Sequence, residues 1–126
     1  NYGWPVITYG RQHSEGHPPY GDGISQKEGM EQPLYFWNPN IAPSSIMFYT
    51  GDLFPQWKGD LFATTLRTHH ISRLELSGNK VVAEERLIGH FGERLRTLKQ
   101  GFNGALYAVT DSRTNGQLIK ITPKAN

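Results

Sequence analysis

The segment 60–88, DLFATTLRTHHISRLELSGNKVVAEERLI, decides the fold. It contains three runs rich in Val, Ile, Leu, Phe and Thr: Asp60–Leu66, His70–Leu76 and Lys80–Ile88. Each is too short for a stable helix and has the composition of a strand. Ser77-Gly78-Asn79 separates the second run from the third, and a loop that short joins only antiparallel neighbours. Working outward, the same texture predicts strands at Ser45–Tyr49 upstream and at Arg94–Lys99, Ala105–Thr110 and Gln117–Thr122 downstream. Asn103-Gly104 reads as a type I′ hairpin turn, which needs positive φ at both residues, and Asn115-Gly116 repeats the signal. Four strands followed by three, at a spacing of about 40–45 residues, match the blade period of a β-propeller. The expected class is therefore all-β, built from antiparallel four-stranded blades.

The first forty residues differ. Pro and Gly interrupt residues 1–60 too often for a long amphipathic helix. Gly3–Tyr9 and Gln32–Trp37 could be strands, and Arg11–Gly29 reads as a long polar loop. The expected organisation is residues 1–43 as a loop-rich region with edge strands, 44–90 as one full blade and 91–126 as most of a second.

Composition excludes several functions. The chain has 126 residues, no Cys, and no apolar run near membrane-spanning length. A disulfide scaffold, a thiolate metal site and a cysteine nucleophile are thereby ruled out. No N-terminal signal-peptide pattern is present. Net charge is only +2, but it is unevenly spread. Residues 1–63 carry three basic and six acidic side chains, and residues 64–126 carry ten and five. A basic half serves an anionic ligand, a nucleic acid or simple solubility. Trp4, Trp37 and Trp57 do not interleave with the basic residues as stacking platforms would, which argues against nucleic acid.

Most chemical motifs dissolve on inspection. His13 and His17 stand four apart, but Gly16, Pro18 and Pro19 deny them a helix. His69 and His70 are adjacent and would face opposite ways on a strand, as would Glu84 and Glu85. Asp22 is too isolated for a calcium loop. Ser44 and Ser45 lack the Gly-x-Ser-x-Gly elbow, and Gly21 and Gly23 lack a third glycine for a phosphate cradle. No metal site and no catalytic residue emerges.

The cationic set Arg67, Arg94 and Arg96 is more informative. On a strand, Arg94 and Arg96 would share one face, which is unfavourable unless an anion or an acid lies between them. Arg67 follows the Asp60–Leu66 strand, and such strand ends collect at one rim of a blade. Three guanidiniums there would suit a polycarboxylate or phosphate ligand. Surface pairing with Glu75, Glu85 or Glu93 is the competing reading.

Beyond these features, several runs carry a resemblance: Tyr2–Ile7, Gly29–Pro33, Trp37–Ser45, Phe48–Asp52, Phe54–Phe62, Glu84–Leu87, Glu93–Arg96, Leu106–Asp111 and Leu118–Ile121. In order, and over almost the whole chain, they resemble the C-terminal part of soluble PQQ-dependent glucose/sorbosone (aldose sugar) dehydrogenases. The resemblance implies a six-bladed propeller, PQQ as cofactor beside a calcium ion, an aldose substrate, and a periplasmic or secreted location. It implies that Arg94 and Arg96 are the family's Arg-x-Arg contact to PQQ. Arg67 stands where the family usually has a PQQ-contacting Lys, and Thr97 where an Asp often follows. Trp37 and Asn40 fall in a segment bordering the mouth of the substrate and cofactor site. The family's catalytic His and its calcium ligands lie upstream of these residues, and none of His13, His17, His69, His70 or His90 matches the base. About two blades of six are present, so the chain alone is not expected to oxidise sugars. The missing blades, or further copies of this chain, would have to cover the open edges. The alternative is a free-standing, non-catalytic protein that closes by homo-oligomerisation, for example as a trimer, and binds an anionic ligand.

Overall fold

The computed structural model describes residues 28–37, 40–89 and 92–124. The chain divides into two compact units, Asn1–Asn40 and Ile41–Asn126. In the first, residues 32–37 form no strand, unlike the expectation for Gln32–Trp37. Pro33 removes one ladder donor there, and Tyr35 packs edge-on against Trp37 with ring centroids 5.2 Å apart. The expected strand Gly3–Tyr9 and nearly all of the expected loop Arg11–Gly29 lie outside the described residues.

The second unit is built from strands. They are β1 (Pro43–Phe48), β2 (Leu61–Thr65), β3 (Ile71–Ser77), β4 (Lys80–Leu87), β5 (Leu95–Gln100), β6 (Leu106–Thr110) and β7 (Leu118–Ile121). A short 3-10 turn, Pro55–Trp57, lies between β1 and β2. β1 to β4 form one antiparallel sheet in sequence order, and β5 to β7 form a second. All the strands expected from Ser45 onward are present, within two residues at each end.

The turns differ in detail from their sequence reading. Ser77 pairs with Lys80, so Gly78 and Asn79 make a two-residue loop, with positive φ (61°) at the glycine. At Asn103-Gly104 only the glycine has positive φ (82°). Asn103 instead accepts the amide of Ala105 on its side-chain oxygen at 3.0 Å, an Asx-type turn in place of type I′. Asn115-Gly116 makes no tight hairpin, because β6 and β7 are joined by the seven residues 111–117. Thr110 closes the neck of that loop through its amide and hydroxyl, both bonded to Gln117.

β2 is the centre of the first sheet and is buried on both faces. Pairing places Met47, Phe62, Ile71 and Leu87 on one face. That face packs against Leu95, Leu98, Leu106 and Ala108 of the second sheet, with Ile119 and Ile121 at the margin. Tyr49 seals one end of this core. Its hydroxyl donates to the Gly104 carbonyl (2.6 Å) and accepts the Phe54 amide (3.1 Å), tying the two sheets together. Gly51 and Gly104 approach so closely here that a Cβ at Gly51 would lie 2.8 Å from the Tyr49 hydroxyl. Nearby, Arg73 bonds buried Asp60 at 2.5 Å and stands 3.5 Å from Glu85, with Trp57 across it at 5.8 Å. Burial opposes the Arg73 charge, but the two carboxylates outweigh it and hold its pKa above the ordinary value.

Tyr49→Phe keeps the ring and deletes both bonds, leaving a buried carbonyl and a buried amide unsatisfied. It is expected to lower unfolding stability by about 2 kcal/mol in urea titrations. A loss below about 0.5 kcal/mol would show that the bridge is not what joins the sheets.

Candidate functional site

The opposite rim of this unit carries the cationic residues. β1 starts there, β2 ends there, and the turn to β3 lies there. Arg67 follows the end of β2, and its amide bonds the Ile41 carbonyl at 3.3 Å, two residues before β1. β5 begins at the same rim, because the Ser44 hydroxyl donates to the Leu95 carbonyl at 2.6 Å. Backbone pairing thus brings the Arg67 turn and the Arg94-Leu95-Arg96 segment to one end of the two sheets.

The convergence of Arg94 and Arg96 has a different cause from the one expected. Arg94 precedes β5 and is not in the strand. Leu95 pairs with Thr110 and Thr97 with Val109, so Arg96 is the extra residue of a β-bulge. Strand parity therefore does not put the two on one face. The bulge re-aims Arg96, and both guanidiniums reach a single oxygen, Oδ2 of Asp111, at 3.5 Å from Arg94 and 3.2 Å from Arg96. The acid between them is Asp111, from the β6–β7 loop; Glu85, one of the acids considered, contacts Arg73 instead. Asp111 is the most sheltered of the three, 30% exposed at its side chain against 52% and 59% for Arg94 and Arg96. Its amide also donates to the Arg94 carbonyl at 2.6 Å.

Ser44 is likewise the extra residue of a bulge, between the Pro43–Thr65 and Ser45–Thr64 pairs. Thr64 lies 2.7 Å from both the Ser44 and the Ser45 hydroxyls. One proton per hydroxyl fixes the direction. Ser44 spends its proton on Leu95, so Thr64 donates to Ser44 and Ser45 donates to Thr64. The chain Ser45, Thr64, Ser44, Leu95 carbonyl ends between the two arginines. Sequence reading tested these serines only as nucleophiles and passed over Asp111. The usable signal was three hydroxyl residues at strand positions where packing prefers apolar ones.

The backbone is strained at this rim. Ala42, His69 and Ile88 have φ of 52°, 58° and 51°, and all three flank the strand ends described above. Such conformations are costly for side-chain-bearing residues and collect at functional sites. His69 and His70 precede β3, so the expectation of opposite faces on a strand does not apply. His70 is 4% exposed. Thr65 brackets its backbone through amide and carbonyl, and its Nδ1 lies 3.3 Å from the Thr68 carbonyl. Its Nε2 is buried without a partner. Burial, and secondarily the Arg86 charge, push its pKa down despite the Thr68 carbonyl and Glu84. Glu84 itself accepts the Ser72 hydroxyl at 2.8 Å.

Among the described residues no group of three or more His, Asp or Glu could hold a metal ion. Asp111 meets the arginines at their Nη2 atoms and leaves each guanidinium most of its five donors. Trp37 is half-buried and Asn40 exposed in the other unit. Their link to this site rests on the resemblance. Among the described residues no helix is long and apolar enough to cross a membrane.

Two sheets in this antiparallel order, with a cationic rim, define a piece of a β-propeller. The family model for glucose/sorbosone dehydrogenases matches residues 1–120, and the chain belongs to that family. It is 36% identical over 124 residues to aldose sugar dehydrogenase YliI of Escherichia coli, covering 98% of this chain and 33% of the relative. It is 37% identical over 121 residues to the uncharacterized protein slr1608 of Synechocystis, covering 96% and 28%. A crystal structure of a glucose dehydrogenase superposes with a TM-score of 0.90 at 43% identity, over 98% of this chain and 36% of that one. The apo-form crystal structure of the soluble aldose sugar dehydrogenase of E. coli gives 0.88 at 35%, over 98% and 35%. The chain thus spans about a third of the relatives it matches.

Burial of His70 makes the stability of the fold depend on pH. Its folded pKa lies below its unfolded value of about 6.5, so the unfolded chain takes up the proton first as pH falls. Its contribution is complete above pH ~6.5 and is lost as pH falls toward the folded pKa. Unfolding stability is expected to be lower at pH 5.5 than at pH 7.5, with His70→Gln flattening the difference. An unchanged slope in that variant would place the titration elsewhere.

Proposed function

We propose that this chain supplies the cationic wall of a PQQ site in an aldose sugar dehydrogenase, through Arg67, Arg94 and Arg96. The observation that carries the reading is the convergence of Arg94 and Arg96 on Asp111 at the rim where the Arg67 turn lies. PQQ is a tricarboxylate, and paired guanidinium forks match carboxylates in geometry and charge. Arg67 adds a planar fork where a Lys would offer a point charge. When bound, PQQ supplies the two-electron acceptor for the aldose, with calcium beside it. The residues here hold and orient the cofactor; the general base and the calcium ligands belong to polypeptide beyond these 126 residues. Trp37 and Asn40 are candidates for the mouth of the sugar site on the family resemblance alone. The location consistent with this chemistry is periplasmic or secreted.

In the full-length protein, Arg67→Ala, Arg94→Ala and Arg96→Ala are each expected to weaken PQQ binding by about tenfold or more, measured by equilibrium dialysis. Wild-type affinity in an Arg94→Ala/Arg96→Ala double variant would sink the assignment. The 126-residue chain with PQQ, calcium and an aldose is expected to reduce no dye; sustained turnover would mean that it carries its own base.

A second reading is favoured by the strongly exposed Ile46, Phe48 and Leu118. Further copies of the chain could cover these side chains and complete the ring without redox chemistry. Sedimentation of the isolated chain distinguishes the two, a trimer supporting self-closure.

A further inference from the structure

Two residues outside the cationic set act on it from beneath. Ser44 grips the carbonyl of Leu95, between Arg94 and Arg96, at the end of the Ser45–Thr64–Ser44 hydroxyl chain. Asp111 takes both guanidiniums on one oxygen and anchors its own amide on the Arg94 carbonyl. Left alone, two exposed arginines two residues apart would repel each other and sample many rotamers. Ordering them upon ligand binding would then weaken that binding. With these two grips the backbone between them is fixed and the charged tips are already side by side. Both Ser44 and Arg96 are bulge residues, a backbone device that re-aims side chains.

We infer that Ser44 and Asp111 are positioning residues, which hold Arg94 and Arg96 as a preformed pair of forks for the carboxylates of the bound anion. This rests on the reading of the arginines as PQQ contacts. The sign of one substitution separates positioning from simple electrostatics. Asp111→Asn removes a negative charge from a site for an anion. Charge alone would make binding tighter, whereas loss of positioning makes it weaker.

The test is equilibrium dialysis of PQQ against the full-length protein and its variants. Asp111→Asn is expected to weaken binding about tenfold, by freeing two rotamer-rich side chains, with Asp111→Glu restoring part of it. Ser44→Ala is expected to weaken it severalfold and Ser44→Thr, which keeps the hydroxyl, less so. The ligand-free melting temperature of Asp111→Asn is expected to stay at the wild-type value, since exposed ion pairs add little stability. Affinity equal to or tighter than wild type in Asp111→Asn overturns the inference. If Arg94→Ala/Arg96→Ala loses binding in the same series, the PQQ assignment survives that failure. If the double variant also binds normally, both readings fall.

Discussion

At the cationic rim, the hydrogen bond from the Ser44 hydroxyl to the Leu95 carbonyl ties the start of the second sheet to the first. It is possible because β1 carries an extra residue at Ser44, and it acts on the residue before the extra one in β5. A bulge breaks the period-two alternation of a strand, so each of these side chains escapes the face its neighbours would impose. Ser44 uses that freedom to reach across to the other sheet, and Arg96 uses it to reach Asp111. Thr64 and Ser45 feed the same chain of hydroxyls, so every donor in it is directed and none is duplicated.

The two ends of the unit are specialised differently. At one end Tyr49, the stacked pair Phe54 and Trp57, and the Arg73–Asp60 pair close the core with buried contacts. Each buried charge there has an opposite partner. At the other end the charges are exposed, three non-glycine residues have positive φ, and a neutral histidine is buried with one nitrogen unpartnered. Stability concentrated at the first end allows strain and like charge at the second.

From Ser45 onward, strand number, order and antiparallel sense were legible because composition and turn spacing report them directly. The register irregularities were not. Nothing in Glu93-Arg94-Leu95-Arg96-Thr97 says that Arg96 is bulged, so the reading put Arg94 and Arg96 together by parity. They do come together, by a different geometry. Asn103-Gly104 and Asn115-Gly116 carry the same dipeptide but make different loops, since Tyr49 holds the first from outside and Thr110 spans the second. The wider second loop is what presents Asp111 to the arginines. Asp111 and Ser44 were missed because their partners are far along the chain: Ser44 meets Leu95 across 51 residues. The resemblance, by contrast, pointed to the correct family from local runs alone, since these keep their order even where their contacts are long-range.

The faces of the two sheets explain why a third of a propeller leaves apolar surface in view. Of the first sheet, the Met47–Phe62–Ile71 face is covered by the second sheet, while Ile46 and Phe48 of β1 point the other way and are strongly exposed. Of the second sheet, Leu98, Ala108 and Ile119 point inward, and the outward set is Thr97, Lys99, Tyr107, Val109, Leu118 and Lys120. That outward set mixes apolar bodies with polar tips, and Leu118 stands exposed on the edge strand β7, whose outer hydrogen-bonding side meets no strand among the described residues. A solvent-adapted sheet would alternate cleanly to polar side chains and blunt its edge. β2, enclosed between neighbours on both faces, shows what such a strand looks like when its surroundings are complete. The contrast between β2 and β7 within one chain is that between a strand buried on both faces and an edge strand. It accords with the chain spanning about a third of its relatives.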